Sequence, residues 1–230
     1  LASANLIEGN LELAKSYADS AYKIKPFGNR LGFLKGEILI ALLNQDIQNG
    51  SLTHDAVQEK IEQITELFEH TFEEFSNYMS AEDARVYMAF FADAGLNEEN
   101  QVVIEYYLEH FPYFQGLGQF ASSIFEKNGR FFESVLLAYL DFENYLSYLQ
   151  TKEEIDFQIS AFLSNLKKLE EQSEKIEMQT EAAEKNRQIL QGIDCIKAIL
   201  TDSTFPEVES DFVIYKYLQK KSQKIAEAHD

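Results

Sequence analysis

The chain has 230 residues, 45% hydrophobic and 26% charged, with 10 Gly and 3 Pro, a composition that builds a packed core and excludes a disordered tail. Its 20 Lys and Arg stand against 39 Asp and Glu, and the resulting charge of −19 repels phosphate backbones and anionic lipid, disfavouring nucleic acid and favouring, weakly, a basic peptide or protein surface. No apolar run reaches membrane-spanning length, since even 31–43 is interrupted by Lys35 and Glu37, so this segment should not insert in a bilayer.

Apolar residues recur at three and four positions along the whole chain, which predicts helices and no sheet. Taken between Gly, Pro and Asn breaks, the expected rods are 10–25, 29–47, 53–78, 81–94, 98–110, 114–128, 130–149, 152 to about 191 (either continuous or broken), 192–201 and 210–228. The breaks include Pro26 to Gly28, Asn49-Gly50, Gly95 to Asn97, Pro112, Gly116 to Gly118, Asn128-Gly129 and Asp202 to Pro206. Two rods carry a start signal: Ser80 with Asp83, and Thr151 with Glu154, place a hydroxyl before the helix and an acid three residues on.

The glycines follow a period. Gly9 is followed by Leu11, Ala14, Ala18, Ala21 and Pro26; Gly95 precedes Pro112 by 17 residues, the interval from Gly9 to Pro26; Gly129 lies 34 residues after Gly95. Phe131, Ser134 and Ala138 follow Gly129 at matching offsets, Ser122 and Phe125 precede it, and Gly36 fills a further small-residue slot. Over about residues 1–149 this pattern resembles tetratricopeptide repeats, whose period is about 34 residues, although the interval from Gly9 to Gly95 is irregular and the repeat's Trp is missing.

The resemblance implies an all-α, right-handed solenoid of helix hairpins, residues 1–149, whose concave side holds a peptide or helix of a partner. The first helix of each unit would line that side, which nominates Arg30, Phe33 and Glu37, then Glu82, Arg85 and Ala89, then Gln119, Ser123, Glu126 and Lys127. Arg30, Arg85 and Lys127 would form a basic thread for an acidic segment, or else pair with Glu37, Glu82 and Glu126. The expectation is thus an interaction module or scaffold without cofactor, metal or catalytic group.

Residues 150–230 have a different texture and are expected as a helical extension. Ile155, Phe162, Leu169, Ile176, Ala183 and Leu190 keep seven-residue spacing, with Ile159 and Leu166 between them, a seam that either dimerises the chain through 155–190 or folds back as a cap. Phe212, Val213, Tyr215, Tyr217 and Leu218 suit a rod that seals the stack.

Other motifs carry less. GLGQFA at 116–121 has the outline of a dinucleotide loop but follows a helix instead of a strand, and reads as a flexible inter-helix loop. His70 and His110 lack a Glu three residues before them, so the helical di-metal pattern is absent. An enzyme or metal-binding protein with a site assembled from distant helices is the alternative function. Cys195 reads as a buried, inert thiol, and its solitude fits a cytoplasmic or periplasmic solenoid equally. The start at Leu1, already in helical material, reads as a piece of a longer or anchored protein. With 18 Phe and 12 Tyr, the rings at 105–114 and 129–149 either leave some members facing solvent, as at an interface, or are all taken up by helix pairs on both sides.

Overall fold

The computed structural model describes residues 1–25, 30–111, 117–174 and 180–229, and these are all-α, with no strand among them. The chain falls into two compact units, Leu1–Leu96 and Asn97–Asp230, a division separate from the change of sequence texture near residue 150.

The first unit contains α1 (Ala2–Ile7), α2 (Leu11–Ile24), α3 (Leu31–Gln48), α4 (His54–Phe75), a 3-10 turn (Ser76–Tyr78) and α5 (Ala81–Ala94). Ala14 and Ala18 bring α2 close to Ile38 and Leu42 of α3, with Leu6, Leu11 and Leu34 closing around them. Small side chains set this approach, because a larger one would hold the helices apart. On the other flank of α3, Phe33 meets Phe68 of α4 and Tyr87 of α5, and Phe68 lies 4.6 Å from the Tyr87 ring and 5.0 Å from Phe91. Rings at these separations favour tilted contacts and each buries a large apolar area. Two glycines make the fit. A Cβ on Gly36 would collide with the Tyr87 hydroxyl, and one on Gly32 with the Thr71 side chain.

The second unit contains α6 (Asn97–His110), α7 (Gly118–Lys127), α8 (Phe131–Leu146), α9 (Lys152–Glu174), α10 (Thr180–Leu200) and α11 (Val213–His229). The buried residues Phe125, Leu136 and Leu137 anchor α7 and α8, and the Ser122 and Ser134 hydroxyls meet at 3.0 Å between them. Phe212 and Tyr215 place α11 against Phe125 and Phe132, while the Tyr215 hydroxyl donates to the Pro206 carbonyl and accepts from the Val208 N–H. Ile214 and Leu218, fully enclosed, complete that seal. Phe162 of α9 stacks on Phe142 of α8 at 3.9 Å, and Leu166 is buried.

Five helices end in the same way. After α1, α3, α5, α7 and α10 a residue with positive φ follows: Gly9, Gly50, Gly95, Gly129 and Asp202. The next N–H then reaches back five residues, as from Leu96 to Phe91 at 2.9 Å and from Arg130 to Phe125 at 2.9 Å. This closure satisfies carbonyls the helix leaves open and demands a left-handed residue, which explains the periodic glycines. Helix starts also match expectation: Ser80 and Asp83 form a reciprocal capping box, and Thr151 and Glu154 exchange N–H bonds of 3.2 Å.

Some expectations need correcting. The stretch from 152 to about 191 is broken, one of the two forms expected for it, into α9 and the start of α10, but the boundary placed between 191 and 192 is absent and Gly192 sits inside α10. A Cβ there would lie 2.8 Å from Val135 of α8, so this glycine serves close packing and not a break. Gly118 likewise begins α7 and is not loop, because its bare backbone lies against the Leu137 carbonyl of α8. The breaks expected at Pro26 to Gly28, Pro112 and Gly116, and seam residue Ile176, lie outside the described residues. Among the described residues no helix is long and apolar enough to cross a membrane.

Candidate functional site

Two of the first three nominated residues, Arg30 and Glu37, converge with Asp83, which was not nominated as a site residue. Arg30, at the start of α3, gives Asp83 of α5 three hydrogen bonds of 2.6 to 3.0 Å, although 53 residues separate them. Asp83 is fully buried and also accepts from the Ser80 hydroxyl at 2.6 Å and the Ser80 N–H at 2.7 Å. Burial alone would raise its pKa, but hydrogen bonds from Glu37, Arg30 and Ser80 hold it below the usual carboxylate value. Glu37 stands two turns farther along α3, with its Oε1 3.8 Å from Arg30 and no hydrogen bond to that buried oxygen. Burial first, and the adjacent Asp83 second, push its pKa to about 8. The two carboxyls therefore share one proton beside one guanidinium near neutral pH.

Phe33 lies wholly inside this unit and offers no surface to a partner. Its carbonyl accepts from the buried Tyr87 hydroxyl at 3.2 Å. Glu82 and Arg85, both exposed on α5, approach each other at 3.7 Å. In the second unit Gln119, Ser123, Glu126 and Lys127 are exposed on α7. Lys127 has no ion pair among the described residues, and the pairing with Glu126 weighed from sequence is not formed.

A groove of about 480 Å³ runs along the first unit, walled by α3, α4 and α5. α3 contributes Ile40, Leu43, Asn44 and Ile47; α4 contributes His54, Val57, Gln58 and Ile61. α5 contributes Val86, Ala89, Phe90, Asp93 and Ala94. Each set follows the i, i+3, i+4, i+7 spacing of one helical face, so three stripes converge on one trough about 10 Å long. Its floor is apolar, with Ile40, Leu43 and Phe90 buried, and Ile47 and Ala89 stand open at the mouth. Of the residues nominated from the resemblance only Ala89 belongs to it. The α3 stripe was present in the sequence, but alone it is indistinguishable from a core face.

The second unit has an acidic recess of about 450 Å³ around Arg130, with Glu105, Glu109, Glu133, Glu209 and Asp211. Arg130 bonds to Glu105 and Glu133 and lies over the Phe125 ring, so it anchors α6, α8 and the α11 approach. In GLGQFA, the Asp141 carboxylate of α8 accepts the Gln119 N–H at 2.6 Å, occupying the α7 start where an anion would bind. His110 stacks on Tyr106 at 4.1 Å, its Nδ1 2.9 Å from the Tyr106 carbonyl. Among the described residues no group of three His, Cys, Asp or Glu is arranged to hold a metal ion. Cys195 is enclosed, and burial raises its thiol to about 12. Of the ring-rich stretches, Tyr106, Tyr107 and Tyr139 are buried, whereas Tyr145 and Tyr148 face solvent. Comparison with protein-family models, with curated proteins and with solved structures finds no match.

Proposed function

We infer that this chain is an interaction module that holds a partner protein, its hairpins stacked in the manner of tetratricopeptide repeats. The trough between α3, α4 and α5 carries this reading: it is apolar along its floor, polar at its edge, and open. Such a surface gains free energy by burial against another molecule. The left-handed closures at Gly95 and Gly129 favour the repeat reading, because these two turns lie 34 residues apart, one period of the repeat. For the seam in α9, the Phe162 to Phe142 stack and the burial of Leu166 support the cap over the dimer.

Ile47→Glu and Ala89→Arg test the reading, since both residues are exposed and neither change disturbs the floor. A native partner captured by the wild-type chain and lost from both variants, with unchanged circular dichroism melting, is the expected result. Thermal stabilisation by a metal, nucleotide or metabolite, abolished by His70→Ala or His110→Ala, would instead support an assembled active or metal site.

A further inference from the structure

The trough specifies the secondary structure and the charge of what enters it. An extended peptide lying on α3, α4 and α5 would need partners for its own N–H and C=O groups, yet the walls are helices whose backbone groups are bonded to one another. Only side chains at the margin could answer, and the floor offers none. A helix brings its backbone bonds with it and needs only an apolar stripe to match three others. Charge adds a second constraint. No lysine or arginine lines the trough among the described residues, and the nearby Lys60 is held by Asp46 at 3.6 Å. Asp93, exposed in the last turn of α5, has no hydrogen bond or ion pair among the described residues. The chain as a whole carries −19, so the approach of a cation is favoured well before contact.

We propose that the trough between α3, α4 and α5 receives one amphipathic helix of a partner protein, its apolar stripe on Ile47, Ile61 and Phe90 and its lysine or arginine against Asp93. This rests on the interaction-module reading and narrows it. The four-helix cluster so formed buries the open edges of Ile47 and Ala89 in the same step. Asn44 and Gln58, exposed at the margin, are placed to bond polar groups on the helix flank.

Selection from a displayed library of randomised, helix-favouring peptides against the full chain tests it. Enrichment of apolar residues at i, i+4 and i+7 with one Lys or Arg between them is expected, with binding lost to Ile47→Glu. The Asp93→Lys chain should enrich Asp or Glu at that position, and the selected basic peptide should bind it about tenfold more weakly, a difference of about 1.4 kcal/mol. Proline-containing or non-periodic peptides, or a charge preference that Asp93→Lys leaves unchanged, would overturn the proposal. So would concentration-dependent dimers that Ile47→Glu dissolves, since the occupant would then be a second copy. A native partner retained equally by wild type, Ile47→Glu and Ala89→Arg would overturn the trough as its seat while leaving the module reading intact. Failure of that broader reading has its own signature, a small-molecule or metal stabilisation dependent on His70 or His110.

Discussion

The two units solve the same problem, holding helices together, with rings and close-packed glycines in both, but they differ in how deeply they bury charge. In the first, α3 is gripped by residues that have almost no side chain, Ala14, Ala18, Gly32 and Gly36, and by a charge network sealed around Asp83. In the second, rings do much of the joining, Phe142 on Phe162 and Phe125 on Phe212. Its ion pairs run from the half-buried Arg130 with Glu133 to the exposed Arg187 with Glu184 and Lys216 with Asp211, and among the described residues none of their carboxylates is enclosed as Asp83 is. Ion pairs in solvent contribute little, whereas a sealed one is costly to break because the survivor is left unsolvated. Protonation should therefore govern the first unit much more than the second.

Arg30→Ala should test this contrast most severely. It leaves the Asp83 carboxylate inside the unit with Ser80 and Glu37 but no cation, and a loss of about 2–4 kcal/mol is expected, discounted because Arg30 itself is half exposed. Hydrogen exchange read by mass spectrometry should place the loss in 1–96 and spare 97–230; equal losses would break the comparison. Next comes pH. Glu37 binds its proton more tightly folded than unfolded, so its contribution is complete below about 4.5 and disappears as pH rises through about 8. Asp83 runs the other way, contributing above its ordinary value and losing that as pH falls through its lowered one. The first unit should thus weaken between pH 5 and 8 by roughly 2–3 kcal/mol, and Glu37→Gln should flatten that slope. A wild-type slope that survives the substitution would mean that another group titrates. The smallest effect sharpens the comparison from the other side. Asp202 ends α10 in the left-handed region at φ 52°, where four other helices have glycine, and Asp202→Gly should stabilise the second unit by about 0.5–1 kcal/mol in denaturant melts.

What could be read in advance was what is local. The turns at Gly9, Gly95 and Gly129 were legible because one residue type alone takes that conformation readily, and the capping boxes because their partners lie three residues apart. Arg30 with Asp83 was not legible: the partners stand on different helices, and Glu37, nearer in sequence, was the obvious alternative. Gly192 and Gly118 misled for a related reason. A glycine in a helical pattern weakens the helix by propensity, but tertiary contact overrides that when a neighbouring helix needs the space. The trough was half legible, its stripe on α3 plain and its exposure hidden, since whether a stripe is covered depends on helices elsewhere in the chain.

The solitary sulfur of α10 has an experimental consequence. Because Cys195 is enclosed and holds its proton far above neutral pH, an alkylating reagent finds it only when that helix leaves its neighbours. The unmodified protein thus carries a built-in clock: labelling rates over a range of reagent concentrations would time the opening of the second unit, with no engineered cysteine and no background from the first.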